Sequence, residues 1–339
     1  MHPYVAVPAT LMLVWRAWSR NSLTPAGLFA ATVTAIVHAL HPWSCFFALL
    51  VVFFLGGTAV TKVKQDVKAR LTLSSTGTSG GEGPRTHVQV LANSIVASVL
   101  ILFHYRQLLA RSNGENASQS CWPFGEDLLV VGIVSNYAAV AADTFSSELG
   151  IISKSRPRLI TSWNLREVPP GTNGGVTIVG IAAGLLGAFT IAVTSAILLP
   201  FCPVEGTSIF GKSLKDVQPG LQGGSGWGWW EKSCWIIGMT IWGGLGSLLD
   251  SFLGGWFQAS VIETRRGMVI EGAGGKKVLV HGIHSSGINL KSPESRKVES
   301  GLGLLDNNDV NVLMAVAMSV GGMLLAGYAW DQTLSSIFG

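Results

Sequence analysis

The residues best placed to do chemistry are three carboxylates near the ends of two long apolar segments. Asp143 and Glu148 lie in the stretch AADTFSSELG, and Asp250 lies in GSLLDSFLGG. An ionisable side chain within a membrane span costs about 2.5–3.5 kcal/mol on insertion scales, so it usually marks a functional site. Facing carboxylates with adjacent hydroxyl groups are hard oxygen ligands that suit Mg²⁺. We therefore expect Asp143, Asp250 and Glu148 to be catalytic residues that also bind the metal.

Each of these residues also has a simpler explanation. Asp143 could be a structural carboxylate paired with an arginine. Glu148 follows it by five residues, which is about 140° around a helix, so the two share a face only if the helix ends or unwinds between them. Glu148 could then be a charge at a helix end. Asp250 has no nearby cation in the sequence, which makes a structural role less favoured.

A glycine-rich stretch, GTNGGVT at residues 171–177, comes just before another apolar segment. Glycines let backbone N–H groups approach an anion closely, and the start of the following helix adds a positive dipole end. The stretch lacks the spacing of a Walker A loop, so the glycines alone are a weak signal. Basic side chains from neighbouring loops would complete a phosphate site: Lys62, Lys64, Arg85, Lys154 and Arg158.

The composition places these residues in a membrane protein. Of 339 residues, 48% are hydrophobic and 12% are charged, and the mean hydropathy is +0.43, whereas average soluble domains carry about 25% charged residues. The net charge of +4 is modest and no nucleic-acid-binding motif is present, so we expect no nucleic-acid partner. Apolar segments fall at about 4–18, 24–40, 43–61, 87–109, 128–148, 174–200, 233–256 and 310–336. They predict an all-α, polytopic transmembrane helix bundle of about eight spans, with six to nine compatible with the pattern, in a single integral membrane domain over residues 1–339.

The connecting segments predict the orientation of the spans in the membrane. Eight spans put the link near residue 20 and segments 62–86, 149–172 and 257–309 on one side, and their excess of Lys and Arg favours the cytosol. Segment 257–309 is interpreted as a long polar cytosolic loop, and a partly disordered insertion is one explanation of its length. The opposite side contains a glycosylation sequon at Asn116 and two loop cysteines, Cys121 and Cys202. A bridge between those cysteines is one of the connectivities that the sequence allows, with Cys45 and Cys234 near the same side.

Polar clusters from five spans fall at the cytosolic boundary in this topology. They are Gln89 with Asn93, Asp143 with Glu148, residues 169–177, Asp250, and LLDNNDVN at residues 304–311. Asn93 could simply hydrogen-bond across helices, and LDNND could simply cap the last span. Together they predict a site for Mg²⁺ and polyphosphate, which a nucleotide reaches from water and a lipid phosphate reaches from the bilayer. Phosphoryl transfer relies mainly on positioning and charge neutralisation, and this site could provide both.

Several blocks resemble a known family. GGTAVTKVKQDVKARL, HVQVLANSIVASVL, AADTFSSELGIISKSRPRLITSW, VPPGTNGGVTIVG, GSLLDSFLGG and LLDNNDVN are similar to the integral membrane family of phytyl-phosphate kinase and transmembrane protein 19, in family order over residues 56–311. That family is distantly similar to dolichol kinases and CDP-lipid synthases. Residues 263–307 are longer and more polar than the family pattern, which favours an insertion without a catalytic part.

The resemblance implies a polyprenyl-phosphate kinase. Such an enzyme converts an isoprenyl monophosphate (phytyl, geranylgeranyl or farnesyl) to the diphosphate with Mg²⁺ and a nucleoside triphosphate, expected to be CTP. No plastid transit peptide is evident, so we expect an endoplasmic reticulum protein whose site faces the cytosol. The family pattern also implies nucleotide- or phosphate-binding roles at Lys62, Asp66, Asn93, Lys154, Arg158, Thr172, Asn173, Gly174, Gly175, Asn307 and Asn308.

Two alternatives stay open from the sequence. A CTP-dependent lipid nucleotidyltransferase would use the same metal and nucleotide but would break the bond at the α-phosphate. A non-enzymatic transporter or scaffold would need no chemistry, but transporters place ionisable groups near the middle of the bilayer. The clustering of polar groups at one boundary favours an enzyme.

Overall fold

The computed structural model describes residues 1–75, 80, 83–112, 121–203, 226–278 and 296–333. Its helices are α1 (Pro3–Ser19), α2 (Pro25–Leu40), α3 (Ser44–Lys62), α4 (Gln65–Ala69), α5 (His87–Ser112), α6 (Leu128–Gly150), α7 (Ile178–Leu198), α8 (Trp229–Phe257) and α9 (Asn307–Ala329). Six of the described helices, α3 and α5 to α9, are long and apolar enough to cross a membrane. The predicted helical membrane fold is confirmed, and each predicted span overlaps one helix.

Helix α6 lies at the centre of the bundle, with α3, α5, α7, α8 and α9 packed around it. Small residues let the neighbouring backbones come close. A Cβ atom added at Gly187 of α7 would lie 2.6 Å from the Ala141 carbonyl oxygen, and one added at Gly243 of α8 would lie 2.7 Å from that of Ala138. Lipid tails are as apolar as leucine, so membrane helices associate through such close contacts. The packing therefore fixes the register of α7 and α8 against α6.

A four-stranded sheet covers one end of the bundle, where the sequence analysis predicted polar loops. It contains β1 (Thr72–Ser74), β4 (Ser260–Glu263), β5 (Met268–Glu271) and β6 (Arg296–Ser300) in the order β1-β5-β4-β6. Strands β2 (Arg158–Leu159) and β3 (Gly175–Val176) form a separate pair at residues 158–176. Three of these strands lie in segment 257–309, and they form because short apolar runs bury Val261 and Ile270 against Leu73.

The loops divide between the two ends as predicted. At the sheet end, the Thr24 N–H donates to the Arg85 carbonyl and β1 pairs with β5. At the other end, Cys121 and Cys202 form a disulfide, so this pairing is confirmed and we call that end the disulfide end. Of the remaining cysteines, Cys45 is buried and Cys234 is exposed. The sequon at Asn116 lies outside the described residues.

Asp127 joins two helices at the disulfide end. Its carboxylate is 1% exposed, accepts both terminal guanidinium nitrogens of Arg111 and lies 3.9 Å from Nε2 of His104. Burial raises the pKa of Asp127, but the hydrogen bonds and charges of His104 and Arg111 outweigh it and lower the pKa to about 2. Because the folded pKa is depressed, its stabilising effect is present above the unfolded value of about 4 and is lost as the pH falls towards 2.

We expect Asp127→Asn to lower the free energy of unfolding at neutral pH by about 2 kcal/mol, since Arg111 is left without its buried counter-charge but is partly solvated. Asparagine tolerates the left-handed backbone at this position (φ 53°), so the change isolates the charge. Thermal melts in detergent at pH 7 and pH 3 measure the effect. The difference between variant and wild type should shrink at the lower pH, and a difference that is constant with pH would contradict the ion-pair explanation.

Candidate functional site

A cavity of about 1330 Å³ opens at the sheet end of the bundle. Its floor is formed by the last turns of α6 and α8 and by the first turn of α9. Its walls are the glycine stretch 171–177, strand β5 with the residues that follow it, and the segment before α5. The cavity therefore lies where the long apolar helices meet the sheet.

The register of α6 against α8 brings Asp143 and Asp250 together. A Cβ added at Gly246 of α8 would lie 2.6 Å from the Cβ of Ala139 of α6. The helices run in the same direction, and residues four apart share a helix face. Asp143 and Asp250 each lie four residues beyond this contact, and their carboxyl groups are within hydrogen-bonding reach of each other. The predicted meeting of the two aspartates is present in the structure.

An asparagine of α9 supports this pair. In the amide orientation that satisfies both of its partners, Asn311 donates to Oδ2 of Asp250 at 3.1 Å and to the carbonyl oxygen of Asn307 at 3.2 Å. Two adjacent carboxylates repel each other unless a proton or a cation lies between them. Mg²⁺ is commonly held by one or two carboxylates, with water and substrate phosphates completing its octahedron. The residues present fit that ion.

Glu148 is not part of this pair. Helix α6 continues unbroken to Gly150, so Glu148 points away from Asp143. Its Oε2 accepts from Nζ of Lys68 at 2.5 Å, and its Oε1 accepts from Oγ1 of Thr61 at 2.7 Å. Within the described ranges, no cluster of three or more His, Cys, Asp or Glu side chains could hold a metal. The structure thus places Glu148 in an ion pair on the cavity wall, apart from the pair of Asp143 and Asp250.

The glycine stretch lines the cavity through Thr172, Asn173, Gly174 and Gly175, but its backbone is largely engaged. The N–H groups of Thr172, Asn173 and Gly175 donate to Pro169 O, Ser260 Oγ and Thr172 O, respectively. Gly174 has φ +78°, and a Cβ there would lie 2.5 Å from Cα of Gly255 in α8. Gly174 therefore provides close packing against α8, and Thr172 and Asn173 add their side chains to the cavity wall.

The other predicted residues divide into two groups. Asn307 and Asn308 line the cavity at the start of α9. The residues outside the cavity wall are Lys62, Asp66, Asn93, Lys154 and Arg158. Four of these are exposed, and Arg158 forms an ion pair with Glu167 at 3.7 Å. The side chain of Asn93 donates to the Gln89 carbonyl within α5, and its own carbonyl accepts from Asn136 of α6.

The basic residues that do line the cavity were missed from the sequence. They are Lys68, just beyond α3, and Lys276 and Lys277, which follow β5 in the stretch EGAGGKK at residues 271–277. The glycines and paired lysines of that stretch were a usable signal, but the stretch lay within the presumed insertion. The role of Lys68 could not be recognised from the sequence, because its ion-pair partner Glu148 is distant in the chain.

Comparison with known families decides the class of this chain. The family model described as integral membrane protein DUF92 matches residues 8–319. The chain belongs to the DUF92 family. This membership confirms the resemblance to the phytyl-phosphate kinase family and makes the chain an integral protein of a lipid bilayer.

Curated relatives extend across plants and archaea. Protein PGR of Arabidopsis thaliana is 31% identical over 315 residues, which is 93% of this chain and 92% of that protein. Protein VTE6, chloroplastic, of Arabidopsis thaliana is 28% identical over 209 residues, or 58% of this chain and 57% of the relative. An uncharacterized membrane protein of Methanocaldococcus jannaschii is 35% identical over 150 residues, covering 44% of this chain and 52% of its own length. No solved structure matches this DUF92 chain.

Proposed function

We propose that this protein is a Mg²⁺- and nucleotide-dependent kinase that converts an isoprenyl monophosphate to its diphosphate. The observation that carries the proposal is the contact between Asp143 and Asp250 on the floor of a polar cavity at the end of the membrane helices. Membership of the DUF92 family supports it through the resemblance to phytyl-phosphate kinase. CTP is the expected donor, and the sheet end would face the cytosol of the endoplasmic reticulum.

Each residue of the site would have a role that follows from its position in the cavity. Asp143 and Asp250 would hold Mg²⁺, and Asn311 would fix the orientation of the Asp250 carboxylate. When bound, the ion would neutralise charge on the phosphate oxygens. The cavity would align the acceptor phosphate with the donor, which is the main requirement of phosphoryl transfer.

The reaction would need no strong general base. An oxygen of the isoprenyl monophosphate forms a bond to the γ-phosphorus of the nucleotide, and the bond from that phosphorus to the β,γ-bridging oxygen breaks. The products are the isoprenyl diphosphate and a nucleoside diphosphate. The attacking oxygen is already anionic at neutral pH, because the second pKa of a phosphate monoester is about 6.

Purified protein tests this directly. We expect it to form isoprenyl diphosphate and nucleoside diphosphate when incubated with Mg²⁺, CTP and a panel of prenyl monophosphates, with products identified by mass spectrometry. EDTA should stop the reaction and added Mg²⁺ should restore it. Release of pyrophosphate with a CMP-linked lipid would identify a nucleotidyltransferase instead, and the absence of both products across the panel would contradict the enzyme assignment.

A further inference from the structure

The stretch from Gly272 to Lys277, which follows β5, lies over the start of α9 and lines the cavity. We propose that this segment, here called the 272–277 loop, binds the phosphate groups of the nucleotide, with Lys276 and Lys277 as the cations. The inference rests on the proposed function, because it assigns one of that reaction's two anionic substrates to a particular part of the cavity.

The charges on the cavity wall support this assignment. A nucleoside triphosphate and a phosphate monoester both bring negative charge into a cavity whose described lining already contains the carboxylates of Asp143, Glu148, Asp250, Glu271 and Asp306. Lys68 is engaged, since its Nζ donates to Glu148 and to the carbonyl oxygens of Val60 and Thr61. Among the described lining residues, Lys276 and Lys277 are lysines without a carboxylate partner.

The two lysines are held at the edge of the cavity but keep donors for a ligand. Lys276 and Lys277 are exposed. Lys277 donates from Nζ to the carbonyl oxygen of Leu304, in the segment that leads into α9. An ammonium group has three donors, so this single bond leaves two for phosphate oxygens. Charge-assisted hydrogen bonds of this kind are the strong ones in phosphate recognition.

The Asn308 side chain favours a nucleotide as the ligand on this side. Its Nδ2 donates to the Gly274 carbonyl at 3.0 Å, so the loop fixes the amide. Its Oδ1 is buried, in a residue that is 4% exposed, and has no hydrogen-bond donor among the described groups. A buried acceptor without a donor requires an explanation, and a ligand is one. Ribose hydroxyls and base amino groups can donate, whereas the dianion of an isoprenyl phosphate cannot.

The loop is also connected to the aspartate pair. Asn308 contacts the loop, and Asn311, one turn later on the same face of α9, contacts Asp250. Gly275 lies against Asn308, since a Cβ added to this glycine would be 3.3 Å from the asparagine Nδ2. A phosphate chain that starts at the loop lysines can therefore extend along α9 towards Asp143 and Asp250, where the transferred group must lie.

Direct binding measurements on the full-length protein in detergent micelles test the assignment. The probes are radiolabelled CTP and radiolabelled geranylgeranyl monophosphate, each titrated separately with Mg²⁺ present. In the double variant Lys276→Gln/Lys277→Gln, the Kd for CTP should rise at least about tenfold, as expected for lost charge-assisted hydrogen bonds, and the Kd for geranylgeranyl monophosphate should not change. The matched control is Lys297→Gln, an exposed lysine of β6 outside the cavity wall, which should change neither value.

The possible outcomes separate this inference from the proposed function. An unchanged Kd for CTP in a double variant with wild-type thermal stability overturns the inference, as does a raised Kd for the lipid phosphate alone. Binding is measured without turnover, so a loop-dependent CTP affinity in a protein that forms no isoprenyl diphosphate would uphold the loop assignment while the kinase proposal fails. Wild-type protein that binds no CTP would overturn the loop assignment and the choice of CTP as the donor.

Discussion

Replacing Asp143 or Asp250 by asparagine will abolish phosphoryl transfer, with kcat reduced by at least about 10³-fold, and will leave the protein folded. Removing one preorganised charge-stabilising group typically costs about 10²–10³ in rate, and in the proposed mechanism each substitution also removes a ligand of the metal. Stability should be unchanged or should increase, because each substitution removes the repulsion between two adjacent carboxylates. An amide also keeps an oxygen and a donor for the remaining hydrogen bonds.

Three measurements would separate catalysis from folding. Single-turnover kinetics gives the transfer rate, thermal melts give stability, and electron paramagnetic resonance of added Mn²⁺ counts bound metal without turnover. Each variant should lose the bound Mn²⁺ while melting at or above the wild-type temperature. The matched control is Asp331→Asn, an exposed aspartate beyond α9 at the disulfide end, with φ 55° that asparagine tolerates. Wild-type turnover in both aspartate variants would remove the metal from the proposed mechanism.

The helices were predictable because a long apolar run can adopt few structures other than a membrane-spanning helix. A run of about 20 apolar residues spans a membrane and must satisfy its backbone internally, so composition alone predicts a helix. The sheet was not predictable in this way. Strand β1 has only three residues. Its Thr72 pairs with Val269, although the two residues lie almost 200 positions apart in the sequence. Such short strands have no strong local signal, and they form because distant segments bury one another's side chains.

The part of the site that was predictable from the sequence is the part that the order and direction of the spans determine. Parallel spans with aspartates at equal depth predicted the pair, but the contact itself depends on small residues such as Ala139 and Gly246, whose close approach sets the register. The sequence could not show whether the glycines at residues 171–177 bind an anion or allow close packing, because both roles require the same residue type. Gly174 belongs to the first kind, since Gly255 leaves no room for a side chain.

Glu148 provides the second large expected effect, on stability rather than on metal binding. Glu148→Gln should lower the free energy of unfolding by about 3 kcal/mol, because it leaves the Lys68 ammonium without its counter-charge in a largely buried site. The two side chains are only 14% and 10% exposed, so water cannot replace the lost carboxylate. Glutamine keeps an oxygen to accept from Thr61, so the change isolates the charge. Mn²⁺ binding should stay at the wild-type level, in contrast to Asp143→Asn.

A double-mutant cycle distinguishes this ion pair from a role in the chemistry. Lys68→Met alone should also destabilise, because it leaves a buried carboxylate unpaired. The double variant Lys68→Met/Glu148→Gln contains neither charge, so it should lose less stability than the two single changes together, with a coupling energy of about 2 kcal/mol. Chemical unfolding in mixed micelles measures all four proteins. Additive losses would contradict the ion-pair explanation. A loss of bound Mn²⁺ from Glu148→Gln would instead return Glu148 to the proposed metal site.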